Sequence, residues 1–428
     1  MPAQVVVGTQ FGDEGKGKIV DRLADRSDVV ARFNGGANAG HTVVVGGERF
    51  AFRLLPSGAI RGRQVAIGNG VVVDPDQLLS EISLLEKRGI EVKLWLSDRA
   101  HVVLPYHKVL DGAERALKGR LSSGSTKRGI GPCYGDKVMR TGIRVGDLLD
   151  KSLLAEKIET YFPLKERLLK SYGLDVGTTK EELLEWCLNS GSRLSRYVVD
   201  TSLLLNKALD QGKNVLLEGA QGTHLDIDHG LYPYGTSSNP TAGGACTGTG
   251  IPPTKIDQVI GVVKAYTSRV GEGPFPTEIH DDLADWIREK GGEYGTVTRR
   301  PRRCGWLDLV MVKYSVRVNG VSSLAMTKMD VLGGLRKVKV CIAYEFQGDR
   351  LEEFPSNPRI LAECRPILEE LPGWEDLPPA KWIETAKAGY ESIPKNARSY
   401  IEYVEEYTGV PVSIVSLGAD REATIERT

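Results

Sequence analysis

The sequence predicts an α/β protein: a single large domain on a central, mostly parallel β-sheet, with helical insertions. Three observations carry this. The apolar run Val5-Val6-Val7 leads into a glycine-rich loop and then an amphipathic stretch containing Ile19, Val20 and Leu23, the order of strand, loop and helix. Further apolar runs recur along the chain, each ending in a loop of glycine and polar residues, which implies a sheet with its site along the carboxyl edge. The chain has 428 residues, of which 41% are hydrophobic, so it can bury a substantial core without staples.

Taken in order, Val29-Val30-Ala31 is a second strand, and it ends in Asn34-Gly35-Gly36-Ala37-Asn38-Ala39-Gly40-His41. Residues 147–211 read as a mainly helical insertion, with a capping box at Thr179 and Glu182 and leucines at helical spacing. Strand-like Asn214-Val215-Leu216-Leu217 opens the densest polar and glycine-rich stretch of the chain, which runs through Gly250. A strand from Val259 to Ala265 precedes Gly271-Glu272-Gly273-Pro274, and another from Val321 to Met326 ends in Thr327-Lys328-Met329-Asp330. Ala397, Tyr400, Ile401, Val404 and Tyr407 make a helix face that stops at Gly409, and Pro411 to Val415 form a last strand before Ser416-Leu417-Gly418.

Charge narrows the function. Lysine plus arginine and aspartate plus glutamate each number 56, so the formal net charge is zero. A nucleic-acid coat or a polybasic membrane anchor needs a field of one sign, and neither is expected. No apolar stretch approaches the ~18 residues of a membrane span. Met1 runs directly into the first strand without a leader pattern, and the six widely separated cysteines form no C-x-x-C pair, so a cytoplasmic protein with reduced thiols is expected.

Chemistry concentrates in four places. Gly12-Asp13-Glu14-Gly15-Lys16-Gly17-Lys18 fits the G-x-x-x-x-G-K phosphate loop, whose small residues let backbone N–H groups approach phosphate oxygens. Ile19 stands where such loops carry a metal-binding hydroxyl, which makes Asp13 the candidate oxygen ligand. Asn38-Ala39-Gly40-His41-Thr42 follows the next strand, so His41 would act on a phosphate held nearby. Thr327-Lys328-Met329-Asp330 has the form of a guanine-reading box, in which the aspartate accepts from the base N1–H and exocyclic amine. The run Arg299, Arg300, Arg302 and Arg303 predicts two or more anionic ligand groups. A smaller basic set, Lys127, Arg128, Lys137, Arg140 and Arg144, surrounds Thr126 and Gly129-Ile130-Gly131-Pro132.

The histidines offer a competing reading. As a strand, His224-Leu225-Asp226-Ile227-Asp228-His229 would put His224, Asp226 and Asp228 on one face, but no second His-rich cluster completes a metal site. His101 and His107 lie in an apolar, strand-like run and read as structural.

These residues together resemble the adenylosuccinate synthetase family. The resemblance rests on residues 8–18, Asn38-Ala39-Gly40-His41-Thr42, Leu55-Pro56-Ser57-Gly58, Gly129-Ile130-Gly131-Pro132, Glu218-Gly219-Ala220-Gln221-Gly222, Gly271-Glu272-Gly273-Pro274-Phe275-Pro276-Thr277 and Arg302-Arg303-Cys304-Gly305-Trp306. It implies one domain over residues 1–428, distantly like the P-loop GTPases. The implied activity uses GTP to join IMP and L-aspartate through a 6-phosphoryl intermediate, in AMP biosynthesis. It further implies Asp13 as general base, His41 as acid and Lys16 as charge stabiliser, with Asp13 and the Gly40 carbonyl on one Mg²⁺.

GTP would be bound by Gly12, Asp13, Glu14, Gly15, Lys16, Gly17, Lys18, Gly40, His41, Thr42, Arg302, Lys328, Met329, Asp330, Ser416, Leu417 and Gly418. IMP would be held by Asp13, Glu14, Gly15, Lys16, Asn38, Ala39, Gly40, His41, Thr126, Gln221, Thr236 and Arg300, with Arg140 reaching across from the second subunit of a homodimer. Aspartate would enter a loop of Thr296, Val297, Thr298, Arg299, Arg300, Pro301 and Arg302. Three positions depart from the family pattern: Arg299 for glycine, Ala419 for proline and Phe11 for tryptophan. Alternatives are a GTP-dependent ligase or kinase of another acceptor, and a GTPase-type switch that would leave the arginine cluster unexplained.

Overall fold

The computed structural model describes residues 3–45, 48–119, 124, 126–295 and 300–427, and the side chains of residues 41–49 and 115 lie outside that description. Ten strands form the main sheet: β1 (Ala3–Gly8), β2 (Val29–Arg32), β3 (Gln64–Ile67), β4 (Leu94–Ser97), β5 (Val198–Val199), β6 (Val215–Glu218), β7 (Gln258–Lys264), β8 (Ser323–Thr327), β9 (Val412–Ser416) and β10 (Thr424–Glu426). Their spatial order is β10-β9-β8-β7-β1-β6-β2-β3-β4-β5. Every neighbouring pair is parallel except β9 with β10.

A parallel sheet must be covered on both faces, and the sequence supplies residues for each. Val5 and Val7 enter one core cluster together with Val29, Ala31, Val215 and Leu217. Val6, Val30 and Leu216, pointing the other way, enter a second cluster with Ile19, Val20 and Leu23 of helix α1 (Lys16–Ala24). The expected helix face of Ala397, Tyr400, Ile401 and Val404 packs into the first cluster from the helix Lys395–Thr408, which ends at Gly409 in the left-handed conformation.

The helical stretch holds Lys151–Ser171, Lys180–Leu194 and Thr201–Asp210, and the Thr179/Glu182 capping box forms in both directions. Within it Val198–Val199 pairs with β4 and extends the sheet, a two-residue strand too short to leave a periodic signal. A second sheet of Leu307–Asp308, Lys337–Phe346, Asp349–Leu351 and Arg365–Pro372 sits outside the main one and carries none of the motifs.

Two sequence expectations need correction. His224 is not on a strand: Thr223–Leu225 is a 3₁₀ turn, and His224 is fully buried with its Nε2 3.0 Å from the Met311 carbonyl. Asp226 organises the following loop, accepting from Asp228 N, His229 N and Thr241 Oγ1, so it has no free face for a metal. Among the described residues no group of three or more His, Cys, Asp or Glu side chains is arranged to hold a metal. His107 lies on the helix Pro105–Gly112 instead of a strand, where its Nδ1 accepts from Leu104 N and its Nε2 lies 3.0 Å from Asp136. Its structural role stands. All six cysteines are free, and among the described residues no helix is long and apolar enough to cross a membrane.

Candidate active site

Because β1, β2, β6, β7, β8 and β9 run parallel, their carboxyl ends share one edge, and the sequence motifs follow these strands directly. The glycine-rich loop after β1 turns through Gly12 and Gly15, whose φ angles of 92° and 83° suit glycine. Gly12 also lets the loop after β6 come close, since a Cβ there would lie 2.7 Å from Gln221 Cα. Glu14 is fully buried and accepts from Gln10 N at 2.9 Å, Gly12 N at 2.8 Å and Lys16 Nζ at 2.7 Å. The loop is thus braced from inside by its own carboxylate, with Lys16 beside it.

The lysine of the G-x-x-x-x-G-K pattern points elsewhere. Lys18 Nζ donates to Ser416 Oγ at 2.7 Å and to the Gly418 carbonyl at 2.8 Å, tying α1 to the loop after β9. Burial pulls its pKa down to about 7, against the attraction of Asp330. Asp330 lies at this corner, where a Cβ on Gly418 would come 3.9 Å from its Oδ2, and its Oδ1 is buried without a hydrogen-bond partner among the described residues. Burial raises the Asp330 carboxyl, and Lys328 and Lys18 draw it the other way. Thr327 Oγ1 donates to the Glu14 carbonyl, which fixes this corner against the phosphate loop. The Met329 side chain is core, packed in the first cluster.

Asp13 lies at the other end of the loop. Its Oδ2 accepts from Ser268 Oγ and forms an ion pair with Lys264 Nζ at 3.2 Å, while Arg302 Nε lies 3.5 Å away. Its Oδ1 is buried with no hydrogen-bond partner among the described residues. Lys264 also pairs with Glu293 at 3.0 Å, and Arg302 Nη1 reaches Glu293 at 2.6 Å. These cations hold the Glu293 carboxyl well below the ordinary range despite its burial. Gln10 stitches the cluster to the loop, accepting from Lys264 N at 2.8 Å and donating to the Tyr266 carbonyl at 3.0 Å.

The loops after β2 and β6 meet beside this cluster. Asn34 Nδ2 donates to the Ala220 carbonyl at 3.2 Å and to Gln221 Oε1 at 3.3 Å, and Asn38 Nδ2 lies 3.4 Å from Thr236 Oγ1. The loop after β2 thus reaches Gln221 through Asn34 and Thr236 through Asn38. Gly40 leads into the hairpin His41–Val45 and Glu48–Phe52, but the side chains of His41 and Thr42 fall outside the description. Thr126 lies just before the helix Ile130–Met139, and Arg140 caps that helix on the surface in the left-handed conformation.

Two arginines of the run have partners within the chain. Arg302 faces Asp13 and Glu293, and Arg303 pairs with Glu278 at 2.8 Å, so the chain's own carboxylates neutralise both. Arg300 is exposed; Thr296, Val297, Thr298 and Arg299 lie outside the described residues. Phe11 is buried under the Arg269 guanidinium, 4.4 Å from its ring centroid.

The family model of adenylosuccinate synthetase matches residues 5–425. The chain belongs to the adenylosuccinate synthetase family. Adenylosuccinate synthetases of Geobacillus kaustophilus and Carboxydothermus hydrogenoformans are each 52% identical to it, over 99% of this chain and 98% and 99% of theirs. The fully ligated adenylosuccinate synthetase of Plasmodium falciparum superposes with a TM-score of 0.90 at 39% identity, covering 99% of both chains. A cyanophage succinoaminodeoxyadenylate synthetase at 21% identity and a TM-score of 0.63 shares the fold. As an adenylosuccinate synthetase, the chain is a GTP-dependent ligase of IMP and aspartate in AMP biosynthesis.

Within that family frame, the sequence motifs left Lys264, Ser268 and Glu293 unnoticed. A lysine at the end of the apolar run Val259 to Ala265 was the one available signal, since a charge there must find a buried partner. Ser268 and Glu293 carry no local mark.

Proposed function

We propose that Asp13 is the general base of this ligation and that Asp330 reads the guanine of GTP. The observation that carries both is the pair of buried Oδ1 atoms without hydrogen-bond partners among the described residues, set along one sheet edge, one in the phosphate loop and one just after β8. A desolvated carboxylate oxygen in that state costs stability unless a ligand group completes it.

The chemistry explains the need for a base. The C6 oxygen of IMP is a poor leaving group, so direct attack by the aspartate amine stalls. Asp13 takes the N1 proton, O6 gains electron density and attacks the γ-phosphorus, and GDP departs from the resulting 6-phosphoryl-IMP. The aspartate amine then bonds to C6 as phosphate leaves. Lys16, beside Glu14 at the loop, and His41 stabilise charge moving onto the β–γ bridge. Asn38, Gln221 and Thr236 hold IMP, and Arg300 with the loop at 296–302 receives anionic groups of IMP and aspartate. Lys328, Ser416 and Gly418 complete the guanine corner.

Asp13 Oδ1, which keeps a second lone-pair direction beside the one that takes the N1 proton, and the Gly40 carbonyl are hard oxygen donors, and two such ligands plus phosphate oxygens suit Mg²⁺. When bound, Mg²⁺ supplies charge neutralisation to the phosphates. A homodimer is proposed at the surface of the helix Ile130–Met139, where Val138 and Met139 are 78% and 70% exposed beside Arg140. Covering these apolar side chains would bring Arg140 of one copy to the other copy's IMP. Reduced thiols and the absence of a one-sign charge field favour a cytoplasmic enzyme.

The test is an omission assay. GDP, phosphate and adenylosuccinate are quantified with GTP, IMP, aspartate and Mg²⁺ left out in turn. Adenylosuccinate forms only with all four, in step with GDP. Steady GDP release without IMP would point to a hydrolytic switch instead.

A further inference from the structure

We propose that Ser268 and Lys264 are positioning residues that hold Asp13 by its Oδ2, so that Oδ1 alone is presented to substrate. This rests on the reading of Asp13 as the base. An aspartate's terminal torsion is broad and two-fold, so without an anchor its two oxygens exchange places freely. Here the anchor is explicit: Ser268 Oγ donates to Oδ2, Lys264 Nζ pairs with it at 3.2 Å, and Oδ1 has no hydrogen-bond partner among the described residues.

The proton count supports the assignment. Lys264 has three protons and three neighbours: Ser268 Oγ, Glu293 Oε1 and Asp13 Oδ2. Ser268, having accepted from Lys264, has one proton left for either Asp13 Oδ2 or Glu293 Oε2, the latter at 3.1 Å. Glu293 already receives Tyr266 Oη, Lys264 and Arg302, whereas Asp13 receives only Lys264 besides the serine, with Arg302 Nε at 3.5 Å. The serine proton therefore belongs to Asp13.

The anchor is also rigid. Lys264 ends the central strand β7, and Ser268 sits in the ribbon Thr267–Arg269 paired with Arg303–Gly305. Lys264, Ser268 and Glu293 are essentially inaccessible to solvent. Lys264 and Arg302 balance Asp13 and Glu293 in charge, which permits burial. Lys264 bridges the two carboxylates, 3.0 Å from Glu293 and 3.2 Å from Asp13, so Asp13 is fastened to a partner that is itself fixed.

Lys264→Met strips a buried carboxylate of one partner and risks the fold, so Ser268→Ala is the deciding variant. A misdirected base costs rate, not affinity. Ser268→Ala should lower kcat about 10- to 100-fold, with KM for GTP, IMP and aspartate within about threefold of the parent and cooperative unfolding retained. Lys264→Met, where it folds, should show the same split. A kcat within twofold of the parent, a loss confined to KM, or a lower kcat with loss of cooperative unfolding would overturn the proposal. Asp13→Asn is measured alongside: full activity there removes the base reading itself, whereas an inactive Asp13→Asn beside a fully active Ser268→Ala rejects only the anchor.

Discussion

Asp13 and Asp330 are two half-buried aspartates on one sheet edge, each with a buried Oδ1 that lacks a hydrogen-bond partner among the described residues, yet their surroundings differ. Asp13 is held at Oδ2 by a serine and a lysine that are themselves locked into a charge-balanced cluster. Asp330 sits in a corner where burial is the largest influence on its carboxyl, with Lys328 and Lys18 as compensating charges. The difference teaches what each setting is suited to do. A group that moves a proton needs one fixed orientation, whereas a group that recognises a base needs desolvation, so that a mismatched ligand leaves polar atoms unpaired.

The largest effect is expected at Asp13. Asp13→Asn keeps size and removes basicity, so kcat should fall about 10²- to 10⁴-fold in steady-state assays, with GTP affinity changed far less. A variant that keeps its rate would erase the distinction between the two aspartates. Next comes Asp330→Asn, which should raise KM for GTP about 10- to 100-fold and leave kcat within a few-fold. ITP, which lacks the exocyclic amine, should then approach GTP as a substrate. Equal loss of kcat and KM at this position would show that the guanine corner also shapes the transition state.

The smallest effect belongs to Lys18, which links the two regions. Lys18→Met should raise KM for GTP up to about tenfold by loosening the loop after β9, with kcat little changed. It also carries a pH signature. Lys18 has a native pKa of about 7 against 10.5 in the open chain, so the native state binds fewer protons between those values. The stability this group contributes is full above about 10.5 and is lost as pH falls through about 7. Denaturant titrations from pH 7 to 10 should show stability rising in the parent and a weaker slope in Lys18→Met; identical slopes would place Lys18 in a wetter setting.

Much of the fold was legible because its signals are local. The runs at Val5, Val29, Val215, Val259 and Val412 each specify a strand by themselves, and the Thr179/Glu182 box caps its helix using only neighbours in sequence. The candidate site was half legible. Asp13 and Asp330 stand in recognisable loops, but the contact of Lys18 with Ser416 was not legible, because the motif fixes the backbone turn and leaves the side chain to find a partner distant in sequence. His224 was misread as a strand residue because alternating polar residues look the same in a turn.

The sequence by itself determined the strands, the helix caps, the phosphate loop and the family, since backbone conformation and motif spacing are set by residues close along the chain. Tertiary structure alone decided that β7 lies against β1, and with it that Lys264 and Ser268 reach Asp13 across about 250 positions. No residue near Asp13 announces this. The contact exists because strand order in a parallel sheet is chosen by burial of both faces over the whole molecule, and only the assembled sheet brings those side chains within hydrogen-bonding distance.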